Sequence, residues 1–156
     1  MDDRDQVTQL LGRRPVADFD VVVRDHAGIP VVIRNAPLLP DGTPMPTRYW
    51  LVGRKLHTAV GQLESDGGVN QAEAEIGLEP IAEAHARYAA ERDAALPADH
   101  VGPRPSGGVA GTRIGVKCLH AHYAWFLAGG DDPVGAWVQD RIDAMAAVTG
   151  RREADQ

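Results

Sequence analysis

Strand-like and helix-like patterning are segregated along this chain. Period-two alternation is confined to the residues before 53, and helical spacing dominates from residue 54 onward. That order argues against alternating βαβ units. It predicts an α+β fold in which a small antiparallel sheet, built from the N-terminal third, packs against C-terminal helices. Residues 16–24 alternate, with Phe19, Val21 and Val23 on one face and Asp18, Asp20 and Val22 on the other. Residues 29–34 form a second apolar run, joined to the first through Asp25-His26-Ala27-Gly28 as a hairpin whose positive φ falls to Gly28. The third strand is TRYWLV at 47–52. Ahead of the sheet, residues 3–11 place Val7, Leu10 and Leu11 on one side of a short helix ended by Gly12, a flap on the core.

The segment 35–46 holds Pro37, Pro40, Pro44 and Pro46 around Asp41-Gly42. It reads as a stiff loop that either presents Asp41, Thr43 or Thr47 to a site or covers a sheet edge. Beyond residue 54, Leu56, Ala59, Val60 and Leu63 mark a helix that stops at Gly67-Gly68. Asn70 with Glu73 predicts a capping box for a second short helix, and residues 78–96 predict a third between Gly77 and Pro97. Asp132-Pro133 predicts an N-cap and first position for a last helix closed by Gly150. At 156 residues the chain fits one domain: a flap (1–15), sheet and proline loop (16–53), a helical part (54–150) and a tail (151–156).

The net charge of -6 argues against a nucleic-acid partner, since phosphate backbones select an excess of Lys and Arg. A 44% hydrophobic and 24% charged composition is that of a globular protein. No apolar run of signal-peptide type succeeds the acidic start, and the longest uncharged apolar run, 118–130, is too short to span a bilayer. These features predict a cytoplasmic protein that does not enter membranes. The single cysteine fits a reducing compartment.

Two stretches carry candidate chemistry. In the 78–96 helix, Ile81, His85, Tyr88 and Arg92 recur at i, i+4, i+7 and i+11, so three polar residues occupy a stripe that should be apolar. A buried arginine needs a carboxylate, a bound anion or solvent, or else Arg92 snorkels outward. The second stretch is GGVAGTRIGVKCLHAHYAWFLAGG at 107–130, a glycine-rich basic loop running into an apolar helix. A glycine-rich turn at a helix start brings backbone N–H groups and partial positive charge to a ligand, which favours an anion. Arg92, Arg113, Gly115 and Lys117 are its expected binding groups. The spacing fits neither nucleotide-binding fingerprint.

Cys118 is expected in the first helical turn beside Lys117, an environment that lowers a thiol pKa. With His120 and His85 it forms the expected catalytic set, and His122 shares its helix face; the alternative is a packed, unreactive cysteine. Cys118 and His122 at i, i+4 also have zinc-ligand spacing, with His26 or His85 needed to complete a site. No cofactor is required by the sequence. The contrasting expectation is a non-catalytic interaction module, in which the proline loop and Trp50 face a protein partner.

The runs APLLPDGTPMPTRYWL, EAHARYAAERDA and GVKCLHAHYAWFLAGGDDPVG resemble, in the same order, an uncharacterised actinobacterial family, the domain of unknown function 501. The resemblance covers most of the chain and implies no activity. It matches Asp41, Gly42, Thr43, Pro44, Pro46, Thr47, His85, Tyr88, Arg92, Lys117, Cys118, Leu119 and His120 to the family pattern. Many members carry a cysteine in the hairpin turn, so a metal site using it would here be lost or rebuilt around His26. Many also have an arginine nearer the KCLH run, making Arg113 an approximate equivalent across Gly115. Members often neighbour genes for a septum-formation protein and an exopolyphosphatase-like protein, which implies a link to cell division or polyphosphate.

Overall fold

The computed structural model describes residues 1–154, with side chains as far as Arg151. In chain order the elements are α1 (Asp3–Leu11), β1 (Phe19–Arg24), β2 (Pro30–Asn35), β3 (Tyr49–Leu51), α2 (Arg54–Ser65), α3 (Gly68–Ile76), α4 (Leu78–Ala94), α5 (Leu119–Leu127) and α6 (Pro133–Ala154), with a 3-10 turn at Val109–Gly111. The strands pair antiparallel in the order β1-β2-β3. The fold is α+β, with its sheet in the N-terminal part and its helices mostly after it.

As the middle strand, β2 is buried along nearly its whole length, and its apolar run Val31–Ile33 is continuous because both faces are covered. Ile33 joins Val7 of α1 and Val52 in a small cluster flanked by Leu10, Phe19 and Trp50. Val32 and Leu51 belong to the larger core, with Val60, Ile81, Tyr88, Leu119, Trp125 and Val138 from the helices. Strict alternation in β1 fails at a bulge, where pairing passes from Val21–Ile33 to Val23–Val32. The extra residue lets Val22 and Val23 both pack on the larger core while Phe19 and Val21 pack on the smaller one.

Helix ends follow local chemistry. The Asp2 carboxylate caps α1 by accepting from Asp5 N–H at 2.8 Å, and Gly12 ends it at φ 75°. Asp132 caps α6 through Val134 N–H at 2.9 Å, with Pro133 in first position. Three expectations need correction. Asn70 lies inside α3 and caps nothing, because the helix starts at Gly68, where a Cβ would meet the Leu63 carbonyl oxygen at 2.6 Å. α6 does not close at Gly150 but runs to Ala154, an interior glycine costing a helix only about 1 kcal/mol. The expected tail is therefore helical over 151–154, and Asp155 and Gln156 lie outside the described residues. Cys118 is the extended N-cap of α5, outside its first turn. Among the described residues, no helix is long and apolar enough to cross a membrane.

Candidate functional site

The polar stripe of α4 faces inward, and each member holds backbone of a loop. Arg92 is 1% exposed. Its guanidinium does not snorkel: it donates to the Asp93 carboxylate at 3.1 Å, the Pro46 carbonyl at 3.2 Å and the Ser106 carbonyl at 3.5 Å. One side chain thus ties the proline loop to the segment leading into 107–117. One turn earlier, the Tyr88 hydroxyl accepts from Arg48 N–H and, at 3.4 Å, from Tyr49 N–H, where the loop enters β3. Burial drives the Tyr88 pKa far up, so the hydroxyl stays neutral.

His85 works on the glycine-rich loop. Its Nδ1 accepts from Val109 N–H at 3.0 Å, so the ring proton sits on Nε2, which donates to the Gly115 carbonyl at 2.7 Å. Burial pushes its pKa down, keeping the neutral form that can do both. The approach is close enough to require glycine at 108, where a Cβ would lie 2.4 Å from the His85 Cβ. Ala110, on the same turn, is held at φ 56°, a strained conformation for a residue with a Cβ.

The backbone N–H groups expected to cradle an anion already have one, supplied by the protein. Glu73 of α3 accepts from Val116 N–H at 2.7 Å, and Glu64 of α2 accepts from Leu119 N–H at 2.9 Å. A Cβ at Gly115 would sit 2.4 Å from the Glu73 carboxylate, so the glycine is what admits it. Of the expected anion groups, Arg92 is engaged within the fold and Gly115 gives its carbonyl to His85. Arg113 and Lys117 remain exposed, and neither forms an ion pair among the described residues. Ile114 between them is 78% exposed.

The expected catalytic set divides. Cys118 and His120 are together at the start of α5, while His85 sits with a separate buried group. Glu64 holds His120 Nδ1 at 2.6 Å, and His120 Nε2 lies 3.1 Å from the His57 carbonyl, so both ring nitrogens face acceptors. The His57 ring lies against His120, centroids 4.3 Å apart; burial, then His120, pushes its pKa down. Neither His120 nitrogen is left as a base for Cys118. Burial pushes the half-buried Cys118 thiol up, outweighing the His120 and Ala121 amides; Glu64 raises it further, and Lys117 opposes this only weakly. The expected lowering of its pKa is reversed because the sulfur lies among packed side chains rather than at an open helix start.

The second group is buried. His122 is bonded through Nδ1 to Asp132 at 2.6 Å, both side chains 0% exposed, and His85 lies beside it with ring centroids 5.6 Å apart. His122 Nε2 is buried without a partner among the described residues. No group of three or more His, Cys, Asp or Glu among those residues is placed to hold a metal ion. His26, the expected third ligand, is exposed in the hairpin turn, lining a cavity with neither Cys118 nor His122. The cavity that His26 lines, about 650 Å³, has none of His85, Arg92 or Cys118 in its lining.

Sequence reasoning missed Glu64, Glu73 and His57. Glu73 was legible only as half of a capping box, and nothing in the local pattern around Glu64 or His57 signals a contact across 55 or 63 positions. Asp132 was legible as a cap but not as the partner of His122.

No curated protein and no solved structure matches the chain. The family model described as a protein of unknown function, DUF501, matches residues 21–140, a span that takes in the sheet from within β1, the proline loop, the α4 stripe, the glycine-rich loop and α5. The chain belongs to the DUF501 family.

Proposed function

We propose that the protein is a non-catalytic binding module whose working surface is the loop 107–117, with Arg113, Ile114 and Lys117 displayed to an acidic segment of a protein partner. The observation that carries this reading is the destination of the buried polar side chains. The buried His85, Tyr88 and Arg92 and the half-buried Glu64 and Glu73 each hold backbone at or beside a loop, and none of them lines the cavity of about 650 Å³ between α1 and α2. A catalytic constellation needs a nucleophile, its base and a space for substrate within reach of each other. Here the thiol is raised, His120 is engaged on both sides and His85 belongs to another cluster.

A surface loop restrained by the buried His85 and the half-buried Glu73, with a strained alanine inside it, is preorganised, which lowers the entropy lost on binding. An isoleucine flanked by two cations that form no ion pair among the described residues is the complement of an apolar residue in an acidic peptide. Division proteins are the first partners to test, given the gene neighbourhood that the resemblance implies.

Site-specific photo-crosslinking in cells tests this. A crosslinker replacing Ile114 should capture a discrete protein that one at exposed Glu83 does not, and Arg113→Glu with Lys117→Glu should abolish that product in a still-folded chain. Identical products at both positions, or capture that survives charge reversal, would contradict the reading.

A further inference from the structure

We infer that the groove between α1, the β1-β2 turn and the start of α2 binds a small amphiphilic anion, a carboxylate carried on a short hydrocarbon body. The groove encloses about 650 Å³, within the range of small-molecule sites. Its apolar lining comes from Leu10, Ile29, Pro30, Val31 and Leu56. Ile29 is 40% exposed there, so the fold leaves an apolar surface that the core does not cover.

The cations of the groove outnumber its carboxylates. Arg54 and Lys55 stand on one wall. Lys55 forms no ion pair among the described residues, and Arg54 makes one exposed 3.5 Å contact with the neutral Gln9 carbonyl, which leaves its charge unbalanced. Among the described residues Asp25 is the one carboxylate in the lining, and its Oδ1 already accepts from Ala27 and Ile29 N–H at 2.8 and 2.9 Å. The first turn of α2 carries no acidic residue and no side-chain cap, which adds potential of the same sign without making a site by itself.

These features exclude the simpler occupants. A hydrated inorganic anion leaves the apolar lining wet, and a neutral hydrocarbon leaves the two exposed cations without a counter-charge. An anionic head beside Arg54 and Lys55, with its chain along Ile29, Val31 and Leu56, satisfies both. The wall given by α1 lies outside the residues that the family model matches, so the groove is completed by a segment of this chain beyond that match.

Calorimetric or NMR titration of the full chain with decanoate, decanol and acetate tests the assignment. Decanoate should bind about tenfold or more tightly than either of the others, a difference of about 1.4 kcal/mol. The variant carrying Arg54→Gln and Lys55→Gln should lose that advantage while its decanol affinity is unchanged; Arg54→Lys with Lys55→Arg should retain it. Ile29→Ser should weaken decanoate and leave acetate unaffected. Circular dichroism of each variant verifies that it is folded, and the charge-conserving variant reads the site if the glutamine variant does not fold. Failure of decanoate to bind, equal binding of decanol, equal binding of acetate, or indifference to removal of the two cations would each overturn the inference.

Discussion

His85 shows how much a single side chain can be made to do when its tautomer is fixed. Only the neutral ring can accept from Val109 and donate to Gly115 at once. Burial holds its folded pKa below the unfolded value of about 6.5. The unfolded chain then binds more protons, so the stability from His85 is fully present above about pH 6.5 and is lost as pH falls through the depressed folded pKa. Chemical denaturation between pH 8 and 5 should show this loss. His85→Ala should be less stable at pH 8 by about 1–3 kcal/mol and should lack that part of the pH dependence. A variant with an unchanged acid limb would remove His85 as its source.

Cys118 gives an opposite lesson at the same scale. The lysine beside it and the helix start are legible in the sequence, but the burial that dominates its titration is not, because the side chains around it come from other elements. Alkylation of the folded protein should be slow at neutral pH and accelerate on unfolding. Fast labelling of the native thiol would restore Cys118 as a candidate nucleophile.

Among the elements, α4 carries the most information that the sequence displays without explaining. The spacing of His85, Tyr88 and Arg92 placed them on one face, and that face is buried. What they hold was not legible, since Pro46 and Ser106 lie 46 and 14 positions away and offer carbonyls that every residue has. Arg92→Met keeps much of the volume and removes the donors. It should destabilise the fold by about 1–3 kcal/mol, because two part-buried loop carbonyls lose a donor, while Asp93, 41% exposed, keeps its charge in water. A loss below about 1 kcal/mol in urea denaturation would mean that water replaces the guanidinium there. The helix α6 shows the other limit: its start was legible from Asp132-Pro133, while its end was misread because Gly150 weakens a helix without stopping it.

At the level of the whole molecule, the separation of strand and helix patterning was enough for the α+β class. Which helix covers which face of β2 rests on long-range packing that no local period encodes. The expected anion site obeys the same rule. The loop chemistry that attracts a negative group was read from glycines and cations, and the negative groups that occupy it arrive from α2 and α3. The fold therefore uses the buried polar residues of α4 to fix loops.

Hydrogen exchange resolved to single amides tests that claim most directly. Val109, Val116 and Leu119 have their N–H groups bonded to His85, Glu73 and Glu64, so in the native protein they should exchange as slowly as core strand amides. Glu73→Gln should hasten exchange at Val116 while amides of β2 stay protected. Fast exchange of all three in the unmodified protein, at the rate of an open loop, would contradict the account.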